Sequence, residues 1–204
     1  VFTLTYAVSG DYTIDMNGKL DGETQTFGAE FTNIPGGQQD YLLITDQGTI
    51  LKPGVAVPSG EQVIVEVDSS VLTVNSSTNG LGSGNQWVAG TETLFFSFVS
   101  PVLSVEFAID NQGAGAANTI TWTVYGKDAL GNITSETSTT SFTDGVLTKI
   151  PTTLTEITKV ELSEDAGNEG FRVQEMSIID RVDEDPVNIS LNVAVVDDDG
   201  DRAS

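Results

Sequence analysis

The 204-residue sequence predicts an all-β protein, a jelly-roll-like antiparallel β-sandwich, and three observations support that prediction. Valine, isoleucine, threonine and aromatic residues are concentrated in short runs, several of which alternate apolar and polar residues as half-buried strands do. Glycine, asparagine, aspartate and proline separate these runs, as they do at turns. No segment sustains the 3.6-residue period of an amphipathic helix. Many short strands divided by turns are typical of sandwiches and jelly rolls.

The predicted strands follow one another along the whole chain. They are residues 1–9, 11–16, 27–34, 41–45, 62–68, 92–99, 102–110, 118–125, 133–142, 154–162, 171–179 and 189–196. The alternation is clearest at Val63, Val65 and Val67, which indicates one buried face. Run 133–142 is rich in serine and threonine, which is typical of a solvent-facing or edge strand.

Length and hydropathy place this chain among folded soluble proteins. It can bury a sizeable core in one large domain, or hold one domain and a fragment. No apolar run approaches the roughly 20 residues of a membrane-spanning helix, so we expect no membrane insertion. The sequence has no initial methionine and no signal peptide, and we expect it to be a piece of a longer protein.

The charge is strongly negative, with 30 Asp and Glu residues against 8 Lys and Arg residues and a net charge of −22. Such a surface repels phosphate, so nucleic acid and anionic membranes are poor partners, and we expect neither nucleic-acid binding nor membrane insertion. Crowded carboxylates also destabilise a compact domain, and bound divalent cations offset that repulsion. We therefore expect calcium to stabilise the fold, because many acids lie at glycine-rich turns. The alternative is that the acidity serves solubility alone.

Cysteine and histidine are both absent. Disulfides, thiolate nucleophiles, Ser-His triads and the usual zinc ligands are thereby excluded. Paired carboxylates are abundant enough for a glycoside hydrolase, but no second catalytic motif accompanies them. We expect no enzymatic activity.

The stretch of residues 76–92 is the first candidate for a binding site. It is predicted to be a long loop between strands, rich in glycine, asparagine and serine, with one tryptophan. Glycines let the backbone turn sharply, and long loops on a rigid scaffold often bind ligands. The candidate ligand-binding residues are Asn79, Gly80, Gly82, Ser83, Gly84, Asn85, Gln86 and Trp87. The alternative is a flexible surface connection that binds nothing.

The same stretch offers oxygen ligands of the kind that calcium prefers. Candidate ligands are Asn79, Asn85 and Glu92, with Asp110 or Asp128 to complete the coordination. For Asp110 and Asp128 the alternative is a turn residue that caps its own hairpin. Trp87 is predicted to be a platform for a ligand side chain or a core residue, and Trp122 to be a core residue.

The end of the chain contains a second acidic motif. Residues 181–186 form a charged break that ends in proline, so we place one domain at residues 1–185 and a terminal strand with a joint at residues 186–204. In that joint Asp197, Asp199 and Asp201 project to one side of an extended chain and repel one another unless a cation lies between them. The glycine spacing differs from an EF-hand. We expect a calcium-bound joint between domains, and the alternative is a solvated acidic tail.

Several segments resemble a known family. They are the terminal run Asp-Asp-Asp-Gly-Asp-Arg-Ala-Ser at 197–204, Gly-Leu-Gly at 80–82, and residues 92–98, 101–102 with 105–107, 121–125 and 170–173. The terminal run resembles the joints of giant RTX adhesins, which are exported to the bacterial cell surface and built of tandem calcium-loaded β-domains. The other segments resemble the peptide-binding domain of such adhesins.

The resemblance implies a secreted, calcium-dependent module that captures the free C-terminal carboxylate of peptides or proteins on another cell surface. It also implies neighbouring adhesin domains in the same chain as partners. Two alternatives stay open: a carbohydrate-binding module for glycans, and a structural extender domain whose calcium only stiffens a stalk.

Overall fold

A computed structural model describes residues 2–6, 12–16, 24–112, 118–165 and 170–181. The chain divides into two units, Thr24–Arg181 and a second unit of Val1–Glu23 with Val182–Ser204. In the second unit, β1 (Phe2–Tyr6) and β2 (Tyr12–Met16) pair as an antiparallel hairpin. The predicted strand 189–196, Asp197, Asp199, Asp201 and the predicted boundary at residue 185 lie outside the described residues.

Every regular element that the structure describes in the larger unit is a strand, which confirms the predicted all-β class. The strands are β3 (Thr24–Glu30), β4 (Gly37–Gln39), β5 (Leu42–Thr45), β6 (Ile50–Leu51), β7 (Val63–Ser69), β8 (Val74–Ser77), β9 (Gly80–Ser83), β10 (Thr93–Val102), β11 (Ser104–Asn111), β12 (Asn118–Lys127), β13 (Ile133–Phe142), β14 (Thr148–Lys149), β15 (Glu156–Glu164) and β16 (Phe171–Arg181). No helix among the described residues has the length and hydropathy needed to cross a membrane.

The strands form two seven-stranded antiparallel sheets that pack as a β-sandwich. The first sheet has the order β13-β12-β15-β10-β7-β5-β6. The second has the order β14-β11-β16-β9-β8-β4, with β3 also paired to β16. Phe96 of the first sheet meets Phe107 of the second, with ring centres 4.8 Å apart, so side chains of both sheets share one core.

The core follows from the alternation in the sequence. In β10, Leu94, Phe96 and Phe98 are buried while the residues between them face outward. Val65 and Val67 of β7 face inward beside them, as predicted. Each such side chain contributes roughly 1.5–3 kcal/mol when it is fully buried. Trp122 is 2% exposed and donates its indole N–H to Thr140 Oγ1 at 3.0 Å, which confirms its prediction as a core residue.

The prediction that all of residues 76–92 form a loop is wrong for its first half. β8 and β9 make a hairpin there, and all four residues of β9 are buried. Small residues allow this close packing, because a Cβ on Gly80 would lie 2.6 Å from the carbonyl oxygen of Val173. Glycine and serine are common in loops, but here they let one backbone approach another.

Candidate functional site

The loop that remains, residues 84–92, connects β9 of the second sheet with β10 of the first. It is held by main-chain hydrogen bonds at its start and in its middle. Gly84 donates its N–H to Thr73 O at 2.9 Å, and Val88 and Phe171 exchange both N–H···O bonds, at 2.6 and 3.1 Å. Gly84 has a φ of 61°, a conformation that glycine adopts without strain. The loop is therefore a shaped surface and not a loose connection.

Trp87 lies in this loop against a cation from the neighbouring strand. The guanidinium of Arg172, in β16, lies 4.3 Å from the centre of the Trp87 ring. The same guanidinium is ion-paired through Nε and Nη2 with Oδ2 of Asp110. The two charged side chains are only 13% and 17% exposed, so the pair is largely shielded from water. Asp110, a predicted calcium ligand, therefore has a cationic partner in its own chain.

Two carboxylates lie at the far end of the loop on adjacent main-chain N–H groups. Glu92 Oε2 accepts from the N–H of Ala89 at 3.3 Å. Glu164 Oε2 accepts from the N–H of Gly90, and its Oε1 accepts from Gly170 at 3.0 Å. Consecutive N–H groups that point to one side form an anion-binding concavity. The side chains of Glu92 and Glu164 occupy this concavity.

The other predicted ligand-binding residues of the stretch differ in accessibility. Asn85 and Gln86 are exposed, and Asn85 Oδ1 accepts from the N–H of Trp87 at 2.8 Å. Gly80, Gly82 and Ser83 are buried in β9 beneath the loop. The Ser83 hydroxyl is hydrogen-bonded to the Ser69 hydroxyl. The surface that a ligand can reach therefore comes from Gly84, Asn85, Gln86 and the half-buried Trp87.

Two predicted metal ligands lie away from this surface. Asn79 is in the turn between β8 and β9, and the length of β9 separates it from Gly84 by about 15 Å. Asp128 follows β12 at the opposite end of the first sheet, about 25 Å of strand from Glu164.

The carboxylate of Asp128 is committed to its own turn. It accepts from the N–H groups of Leu130 and Asn132 at 2.8 and 2.9 Å, and from the Asn132 side chain at 2.9 Å. These hydrogen bonds hold the pKa of Asp128 below its ordinary value, and the one from the Asn132 side chain contributes most. This is the arrangement of a turn residue that caps its own hairpin.

This end of the sandwich offers few oxygen ligands for calcium. No group of three Asp or Glu side chains comes together within the part of the chain that the structure describes. Glu92 and Glu164 each use carboxylate oxygens on N–H groups, and Glu92 Oε1 lies against Gly84, 3.3 Å from where a Cβ would stand. Neutral oxygens are available at Asn85 and Gln86. These oxygen ligands suit a hard cation such as calcium that completes its coordination with water or a bound ligand.

Two residues at this end were not singled out from the sequence as site residues. Glu164 belongs to β15 and Arg172 to β16, and both are distant along the chain from the loop that they contact. Arg172 reaches Asp110 because these two residues are partners in the β11–β16 register. The sequence carries no local signal of that register, although Arg172 is one of few cations in an acidic chain.

No known protein family matches this chain, and no curated protein matches it either.

Proposed function

We propose that this chain is a calcium-dependent adhesion module of a secreted bacterial surface adhesin. Its ligand is the free C-terminal carboxylate of a peptide or protein on another cell surface, bound at loop 84–92. The observation that carries the proposal is the stack of Arg172 on Trp87 beside this loop. It supplies a cation beside the exposed loop residues, ion-paired with Asp110 and still carrying N–H donors, in a chain of net charge −22.

A carboxylate ligand approaching this protein is repelled by the overall charge. Local positive charge must offset that repulsion. Arg172 engages Asp110 through Nε and Nη2, and a guanidinium has five N–H donors, so donors remain for a second carboxylate. The exposed amides of Asn85 and Gln86 can then donate to the rest of the peptide terminus.

Calcium is the second cation of the proposal, and the jelly-roll-like sandwich is proposed to be stabilised by it. Glu92 and Glu164 repel each other on one short turn, and Ala89, Gly90 and Gly170 hold both carboxylates in place. When bound there, calcium would neutralise these side chains and offer an open coordination position to a ligand oxygen. Asn85 would contribute a neutral oxygen.

The glycan alternative is less well supported. Sugar-binding calcium sites often stack a sugar ring on an aromatic side chain, and Trp87 is the aromatic residue of the loop. One face of its ring is already covered by Arg172. Tyr125, the other candidate, lies on the outer face of the first sheet in cation–π contact with Lys159, 5.5 Å from its ring centre.

The test is capture of the protein on immobilised peptides that are identical except for a free or an amidated C-terminus, in calcium and in chelator. We expect capture only by the free carboxylate and only in calcium. Glu92→Gln and Glu164→Gln should weaken capture. Glu66→Gln, an exposed acid on the outer face of β7, is the matched control and should not.

Equal capture of free and amidated peptides would refute the carboxylate mechanism. Capture that survives chelator would refute the role of calcium. Loss of capture in Glu66→Gln would assign the effect to overall charge instead of to the site.

A further inference from the structure

β13 forms an edge of the first sheet, with β12 as its one partner among the described strands. It is ten residues long and hydrogen-bonds to β12 on one side. Seven of its ten residues are exposed, on both faces of the sheet. An unpaired strand edge presents a row of N–H and C=O groups that can pair with another chain.

Three of the other described sheet edges are short, and the fourth, β3, has seven residues and pairs with β16 on one side. β6 has two residues, β14 has two and β4 has three. Proteins blunt exposed edges with short strands, lysine, proline or bulges. β13 contains no lysine and no proline, and its ten pairs with β12 run without a register shift. β3 also lacks lysine, proline and a register shift, and at ten residues against seven β13 is the longer of these two described edges.

The one charged side chain of β13 does not lie where it would oppose pairing with another strand. Glu136 is the partner of Val124, whose side chain faces the core, so it is on the inner side of the sheet. Its carboxylate accepts from the Thr152 hydroxyl at 2.6 Å and from the Thr153 N–H at 3.0 Å. The remaining polar side chains of β13 are serine and threonine hydroxyls, which donate and accept hydrogen bonds.

The register identifies which main-chain groups face outward. Asp128 donates its N–H to Asn132 O at 3.1 Å, so these two residues form a hydrogen-bonded pair at the start of the hairpin. Hydrogen-bonded pairs alternate in an antiparallel ladder. The even-numbered residues of β13 therefore bond to β12, and the odd-numbered ones direct their N–H and C=O to the free edge. Those residues are Ile133, Ser135, Thr137, Thr139 and Ser141.

Apolar side chains lie at one end of this edge. Leu130, in the β12–β13 turn, is 86% exposed, and Ile133 is 87% exposed. Large apolar side chains with this exposure, next to unpaired main-chain groups, add contact area for a bound segment.

We propose that the free edge of β13 binds an extended, basic segment of another protein through main-chain pairing. Ten residues of strand span about 33 Å, enough for a segment of similar length. Charge selects the class of partner. A second copy of this chain brings another net charge of −22 to the edge, whereas a basic segment is attracted to it.

The test uses the whole chain and a ten-residue peptide of alternating threonine and lysine with both ends blocked. The blocked end cannot use the carboxylate mechanism proposed above, so the two proposals fail independently. A peptide of the same charge with an N-methyl group on every residue is the matched control, because it is attracted equally but has no main-chain N–H to donate on either edge. Hydrogen exchange of single amides, measured by NMR, is the readout.

We expect the unmodified peptide to slow exchange at Ser135, Thr137 and Thr139 by about tenfold, and the N-methylated peptide to leave it unchanged. Thr137→Pro removes an outward N–H without breaking the β12 ladder and should abolish the protection. Thr137→Ala keeps that N–H and should preserve it. A peptide of alternating threonine and glutamate should protect less.

Three results would overturn the proposal. Equal protection by the N-methylated peptide would mean charge attraction without strand pairing. Slow exchange of these amides in the peptide-free, monomeric protein would mean that another segment of the same chain already pairs with β13. A dimer in sedimentation that Thr137→Pro converts to monomer would mean that the occupant is a second copy.

Discussion

Arg172 lies over Trp87, with the carbon of its guanidinium 4.3 Å from the centre of the indole ring. This contact joins a residue of β16 to the loop between β9 and β10. Because Asp110 pairs with the same guanidinium, three segments of chain meet at one cation. The stability of the candidate site and its charge thus depend on one side chain.

Arg172→Met should destabilise the fold by about 2 kcal/mol, because it leaves Asp110 shielded from water without a cation. Urea unfolding measures this difference. Lys127→Met is the control, since the Lys127–Glu156 pair is more exposed, at 44% and 26%, and should cost less than about 0.5 kcal/mol. Equal losses in the two variants would contradict a special role for Arg172.

Gly82→Ala should destabilise the protein by about 2–4 kcal/mol, because the added Cβ would lie 2.6 Å from the backbone nitrogen of Trp87 and force the loop away from β9. Gly28→Ala is the matched control in β3, where the nearest atom is 3.8 Å from the new Cβ. Thermal unfolding of both variants checks the prediction. A stable Gly82→Ala protein would show that the loop does not pack on β9.

Asp68→Asn should stabilise the protein near neutral pH. Burial raises the pKa of Asp68, Lys159 lowers it in part and Glu161 raises it. The folded state therefore holds the proton more tightly than the unfolded state, and stability is lost as pH rises through this raised pKa.

The gain in Asp68→Asn over wild type should accordingly be present at pH 7 and vanish below the ordinary pKa of aspartate. Urea unfolding at several pH values measures it. A gain that is the same at every pH would assign the effect to packing and not to charge.

Glu136→Gln should destabilise the protein at pH 7 by about 1 kcal/mol after solvent screening. Hydrogen bonds from Thr152, then Thr153, hold the pKa of Glu136 below its ordinary value. The carboxylate therefore contributes stability above the ordinary pKa of glutamate, and this contribution is lost as pH falls through the lowered pKa. The wild type and the variant should converge in acid, as followed by denaturant unfolding. Persistence of the full difference in acid would contradict the hydrogen-bond origin.

Calcium should raise the unfolding temperature of the chain, and Glu92→Gln should reduce that increase. At 100 times its dissociation constant, a ligand of the folded state adds about 2.7 kcal/mol of stability.

Removal of residues 197–201 tests the joint separately, and we expect it to lower stability in calcium without affecting peptide capture. Loss of capture in that deletion would contradict the predicted domain organisation.

The strands with strong alternation were predictable from the sequence. β7, β10 and β13 appear close to their predicted bounds, and β13 also has the exposure that its serine and threonine content predicts. The short strands β4, β6 and β14 were missed, because two or three residues carry no period. β8 and β9 were missed because glycine and serine at close-packed positions have the composition of a loop.

The sequence by itself determined the all-β class, the inward-facing residues of the longer strands, the acidity and the absence of thiol and imidazole chemistry. These properties depend on composition or on neighbours along the chain. Only the tertiary structure decided that Glu164 and Arg172 belong beside loop 84–92 and that Asn79 and Asp128 do not. It also decided that β13 is an edge among the described strands. The reason is that strand order and register between distant segments decide which side chains meet. The alternation of apolar and polar residues looks the same in every strand, so it does not identify which strand pairs with which.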